Sequence, residues 1–145
     1  MAAACTDVCV LNLATTTRAG EPRLSAVDGH FLHGRWHFST AASALKARHM
    51  RARPAVSAAW TPRDGMGVWV HGRVAFLEPG TAPWHDLDRH LARMYGESPS
   101  ESFDVEIVYL RLDPQWMVGF AMTADEQLEM DAALEQRKQR LAAPD

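Results

Sequence analysis

The chain has 145 residues, 47% hydrophobic and 23% charged, with 15 Lys and Arg against 18 Asp and Glu for a net charge of -3. That size suits one domain over residues 1–145, able to bury roughly 68–70% of the surface its unfolded chain exposes. The charge gives no pull toward nucleic acid and no apolar run nears the roughly 20 residues that span a bilayer, so a cytoplasmic protein with neither partner is expected.

Cys5 and Cys9 match neither a disulfide framework nor a zinc knuckle, and read as small apolar residues in a reducing compartment. Residues 8–16, VCVLNLATT, are β-branched and apolar, and Gly20 and Pro22 punctuate a turn behind them. Two further strands follow, at 23–32 and 35–40, joined through His33 and Gly34. Ala44, Leu45, Ala47 and Met50 recur among Lys46, Arg48, Arg51 and Arg53, which predicts a short amphipathic helix over 43–53 ended by Pro54. Strands at 55–60 and 67–78 come next, and Gly72 inside the second marks a bulge or a tight bend.

Residues 81–96 carry Trp84, Leu87, Leu91 and Met94 at helical spacing, with Thr81 as N-cap and Gly96 as the stop. A polar link leads to a last strand at 103–113, and Thr123 to Glu126 resembles a capping box opening a helix over 123–141. Six strands joined largely by hairpins exclude a parallel βαβ sheet. They predict a mainly β fold with flanking helices, an antiparallel six-stranded barrel.

Ser39, Thr40, Ser43 and Lys46 gather where a strand hands over to a helix. Unpaired amides and the helix dipole stabilise an anion there, and Lys46 adds a full charge. Two readings stand side by side: a phosphate cradle, or plain capping by Ser43 with Lys46 on the surface.

The order LATTTRAGEPRLSAVDG, RWHFSTAASALKARHMRARPAVSAAW, VWVHGRVAFLEPG, VYLRLDPQWMVGF resembles the pyridoxamine 5'-phosphate oxidase-like, FMN-binding split-barrel superfamily over residues 9–122. The resemblance implies a split barrel of the FMN-binding type, a homodimer with cofactor at the subunit interface, and an oxidoreductase acting on a small-molecule substrate. Carried over by position, Arg23 meets the cofactor phosphate and Leu24, Ser25 and Ala26 offer backbone groups to the ring edge. Ser39, Thr40, Ser43 and Lys46 hold the ribityl chain and phosphate, and Phe120 lies against the cofactor from the partner subunit.

Three departures refine this. The oxidases' Ser-Arg-Lys is Ala44-Leu45-Lys46 here, and leucine cannot imitate an arginine fork on phosphate. The C-terminal arginine and histidine motif for pyridoxal phosphate has no counterpart, which argues against true pyridoxamine phosphate oxidase activity. The stretch ahead of the first strand is too short for the family's usual helix. The missing arginine brings in the deazaflavin (coenzyme F-420) dependent reductases of the same fold as the alternative to FMN, with a non-catalytic flavin or haem carrier behind them.

Outside that segment, His30, His33 and His37 read as solvent-facing hairpin residues and not as a metal site, and no metal is expected. His71, beside Gly72, is the histidine placed to line a pocket, while Trp69 and Trp116 suit an interface. The run KARHMRAR reads first as a solvated helix face. Neither a GxSxG elbow, a GxGxxG loop nor a P-loop is present, and no acid or base stands out.

Overall fold

A computed structural model describes residues 9–62 and 65–142. Six strands, β1 (Cys9–Thr16), β2 (Pro22–Leu32), β3 (Arg35–Ala41), β4 (Ala55–Trp60), β5 (Met66–Phe76) and β6 (Ile107–Ala121), close in the order β1-β2-β3-β6-β5-β4. Every pairing is antiparallel. Among the described residues, four helices flank the barrel: α1 (Leu45–Ala52), α2 (Ala82–Tyr95), α3 (Pro99–Ser102) and α4 (Ala124–Ala142). No helix among the described residues is long and apolar enough to cross a membrane.

Strand alternation decides which side chains fill the interior. Leu11 and Leu13 of β1, Phe38 of β3, Val70 of β5 and Leu110 and Leu112 of β6 are fully buried and meet in one cluster. On the outside of β6, Tyr109 packs with Leu77, Leu87 and Leu91, which fastens α2 to the barrel wall. The Tyr109 hydroxyl donates to Asp88, which also accepts from Ser98 and Ser100 and so ties α3 to α2.

Turns follow from local chemistry. His33 (φ 51°) and Gly34 (φ 77°) are both left-handed, the pair that a two-residue hairpin needs to match strand twist. Gly96 at φ 86° ends α2. The expected capping box forms: the Thr123 amide donates to Glu126 at 2.8 Å and the Glu126 amide to Thr123 Oγ1 at 3.3 Å.

Several sequence expectations are corrected. The last strand starts at Ile107 and runs through Pro114 to Ala121, well beyond residue 113. Pro114 is tolerated because the β5–β6 register shifts there, between His71 and Gly72, at the bulge that Gly72 suggested. Residues 99–102, expected as link, form the short α3. Thr81 stands at the N-cap of α2 as expected, but its hydroxyl donates backward to Glu78 O, so no side chain caps the first turn. His30 and His37 are buried at 4% and 8% exposure, not solvent-facing; only His33, in the turn, is exposed. Cys9 is buried on β1 and disulfide-bonded, so it is not the inert thiol expected, while Cys5 lies outside the described residues.

Candidate functional site

The barrel is split on one side. β2 pairs with β1 along Pro22 to Gly29, but with β3 only from Gly29↔Phe38 to Leu32↔Arg35. Beyond Phe38, β3 turns to β6 alone, through Ser39↔Tyr109 and Thr40↔Val108. The first half of β2 therefore presents one unpaired edge, and α1 begins opposite it. A strand edge needs partners for its backbone groups. Lys46 provides one, donating from Nζ to Ala26 O at 3.0 Å. Backbone groups alternate sides with a period of two, so Leu24 and Asp28 present theirs toward the same open edge.

The mouth of α1 is uncapped. Ala44, not Ser43, stands at the N-cap, and no side chain caps the first turn. Ser43 is exposed, which removes the plain-capping reading and leaves first-turn amides beside the Lys46 ammonium. In the facing strand, the buried hydroxyl of Ser25 has no hydrogen-bond partner. Leaving such a group unsatisfied costs about 1–3 kcal/mol. An orphaned hydroxyl, open strand edge, free helix mouth and ammonium group form a donor set that fits a phosphate-bearing ligand.

The other cations of α1 have different work. Arg51 donates to Ala42 O at 2.9 Å and lies over the Phe76 ring, and Arg53 reaches Arg18 O. Arg51 braces the β3–α1 turn and Arg53 the β1–β2 turn, which the run of charges alone did not reveal. His49 and the buried Thr15 share a 3.1 Å hydrogen bond that docks α1 on β1.

The remaining residues picked out by sequence fall around this split. Arg23 is exposed and paired with Glu21 at 2.9 Å, a surface pair worth little and easily exchanged. Ser39 and Thr40, adjacent on β3, face opposite sides, and Ser39 lines a small cavity with Asp28 and Tyr95. Leu24, 72% exposed, lines a groove with Trp69, His71 and Trp116. Phe120 lies apart from Lys46, stacked on Trp69 with centroids 5.1 Å apart.

That aromatic face was only partly foreseen. Trp116 stacks on His71 at 5.0 Å, and Trp69, Trp116, Val118 and Phe120 are all 40–50% exposed along β5 and β6. Among them lies a pair that sequence reading missed. Ser57 and His71 are register partners on β4 and β5, and Ser57 Oγ sits 2.6 Å from His71 Nδ1. Fourteen residues separate them, so only strand pairing discloses the contact. It is a local hydroxyl–imidazole couple able to hold and pass a proton.

Many solved structures share this barrel. An F420 reductase is 20% identical over 77% of this chain and 90% of that one, with a TM-score of 0.62. The haem storage protein HutZ of Vibrio cholerae is 16% identical over 77% and 84%, at 0.65. A pyridoxamine 5'-phosphate oxidase-related, FMN-binding protein of Nostoc punctiforme is 16% identical over 86% and 80%, at 0.60. No family model matches the chain, and no curated protein matches it. These structures share with the chain a closed six-stranded antiparallel barrel with flanking helices, the fold the sequence predicted.

Proposed function

We propose that the chain binds a flavin-type cofactor, FMN by preference, at the split, and transfers hydride between it and a small organic substrate without being a pyridoxamine phosphate oxidase. The observation that carries this is Lys46 at the uncapped mouth of α1, reaching the open edge of β2 at Ala26 O. The cofactor when bound supplies the hydride chemistry. What remains for the protein is to anchor, orient and exclude water.

Lys46 and the first-turn amides hold the phosphate, while Ser25, beside Ala26 on β2, and Ser43, just ahead of α1, offer hydroxyls to a sugar-like chain. Backbone groups of Leu24 and Ala26 meet the polar edge of a flat ring. The aromatic face suits a second copy of the chain: Trp69, Trp116 and Phe120 leave large rings half-exposed on adjacent strands, and aromatic rings of this kind are enriched at interfaces. A homodimer would bury that face and bring a partner's aromatics toward the ring. Ser57 and His71, bordering the same groove as Leu24, are positioned to hold the proton that accompanies a hydride.

A second reading is favoured by one residue. Leu45, 62% exposed, stands where the oxidases carry a phosphate-binding arginine, which weakens the case for FMN and favours a deazaflavin-dependent reductase; a non-catalytic flavin or haem carrier is the third form. The test is the visible spectrum of the protein titrated separately with FMN, the deazaflavin and haem. Saturation by one flavin names the branch, and saturation by haem alone with no redox turnover makes it a carrier. Lys46→Ala should weaken flavin binding by roughly ten-fold or more, since a charged hydrogen bond contributes about 1.5–3 kcal/mol. Unchanged affinity would remove the cradle.

A further inference from the structure

A second concave site lies between the β2–β3 hairpin and α2, a groove of about 660 Å³ that none of the residues discussed for the cofactor lines. Four guanidinium groups border it: Arg35 from β3, Arg111 from β6, and Arg89 and Arg93 from α2. Arg111 grips Asp113 through two hydrogen bonds, at 2.8 and 2.9 Å, and Arg35 approaches the same carboxylate at 3.3 Å. Arg89 pairs with Asp86. Arg93 makes no ion pair among the described residues. Four arginines against two aspartates leave an excess of two positive charges, on a chain whose net charge is -3.

That excess is concentrated, not incidental. Arg89 and Arg93 are four apart on one helix, so they lie on the same face and repel. Asp86 offsets Arg89 alone, so the Arg93 charge faces the groove without an ion-pair partner among the described residues. His37 and His90 also border the groove. Burial holds the His37 ring down at about 4, so the field comes from guanidinium groups, which stay charged at any physiological pH. Leu32, Pro83 and Leu87 supply an apolar floor. The volume lies within the range of pockets for small organic molecules, far more than a bare inorganic anion fills.

We propose that this groove is a binding site for a small organic phosphate, its dianionic group held between the sheet arginines and Arg89 and Arg93, its organic part on Leu32, Pro83 and Leu87. Arginine forks match phosphate geometry with paired hydrogen bonds. The site is distinct from the Lys46 cradle: Ala26 and Leu32 lie six residues apart on β2, roughly 20 Å along the strand. It does not depend on the cofactor reading.

The experiment is an amide-resolved NMR titration of the full chain with phenyl phosphate, repeated with benzenesulfonate as a monoanion of similar shape. Saturable shifts at Arg35, Arg89 and Arg93 with phenyl phosphate, at least ten-fold weaker with benzenesulfonate, are expected. Arg93→Gln should weaken phenyl phosphate ten-fold and Arg93→Glu abolish it, while Lys46→Ala leaves these shifts unchanged. Arg93 is on the surface of α2, so both variants should keep the wild-type spectrum elsewhere. No saturable shift at the groove, shifts confined to residues around Lys46, equal binding of benzenesulfonate, or an Arg93→Gln variant that binds like wild type would each overturn the proposal.

Discussion

Replacing Gly72 by alanine tests whether the bulge that aims the β5–β6 face is enforced by backbone contact. A Cβ at that position would lie 2.2 Å from Asp113 O and 3.0 Å from the Asp113 carbonyl carbon and Pro114 Cα. Those are main-chain atoms of β6 and cannot rotate aside, so the strand has to retreat by about 1 Å or more to restore ordinary contact. The retreat disturbs the ladder where buried Val70 and Val74 face the core. Overpacking of this kind costs about 1–3 kcal/mol, and a rigid obstacle puts Gly72→Ala at the upper end. A chain of this length then loses roughly 6–12 °C in Tm, measured by circular dichroism. Gly67→Ala is the matched control. Its Cβ would lie 2.2 Å from Phe120 Cε1, a half-exposed ring free to swing outward, so the cost is limited to the Trp69 stack, about 1 kcal/mol. A Gly72→Ala protein melting within about 2 °C of wild type, or a Gly67→Ala protein melting lower than it, would refute the reasoning.

Burial holds His30 and His37 near about 4, below the ordinary value for the ring. Both are neutral in the fold but protonate near 6.5 when unfolded, so the unfolded chain binds more protons between those values and stability falls as pH drops from 6.5 toward 4. By pH 5 each ring should have cost about 2 kcal/mol relative to pH 7, read as a lower urea midpoint, and His37→Gln should flatten part of that slope. A midpoint independent of pH over this range would contradict the burial of both rings. Trp116→Glu, at a half-exposed position, tests the proposed homodimer: light scattering should read a dimer for the wild type and a monomer for the variant, with stability shifted by less than about 1 kcal/mol. Retention of the dimer would move the interface off the aromatic face.

Strand periodicity made the barrel legible because most inward positions are apolar: Leu11, Leu13, Phe38, Leu110 and Leu112 alternate with outward residues. The capping box at Thr123 and the bulge at Gly72 were equally visible, since each depends on chemistry within a few residues. What failed depended on distant partners. His30 looked exposed in its hairpin, but His90 and Tyr95, sixty or more residues on, cover it with hydrogen bonds at 3.1 and 3.2 Å. Ser43 satisfied every local rule for an N-cap and was displaced by the β3–α1 turn, which Arg51 holds through Ala42 O. The Ser57–His71 couple was hidden for the same reason, since neither residue signals the other until β4 and β5 pair.

The split gives a backbone reason for the proposed cofactor site. A closed sheet satisfies its backbone through neighbouring strands, whereas β2 loses β3 beyond Gly29 and must find other partners for its outer edge. Lys46 meets one carbonyl, while Ser25 retains an unpaired hydroxyl. A ligand with a phosphate and a polar planar edge supplies the missing partners at no cost to the core, because Leu11, Phe38 and Leu110 remain packed behind the opening. Under the proposed function, the choice between FMN and a deazaflavin turns on the charge that Leu45 withholds. Leu45→Arg would restore a guanidinium at the helix mouth without touching the buried residues, and it should shift preference toward FMN if phosphate anchoring is what the native chain has relaxed.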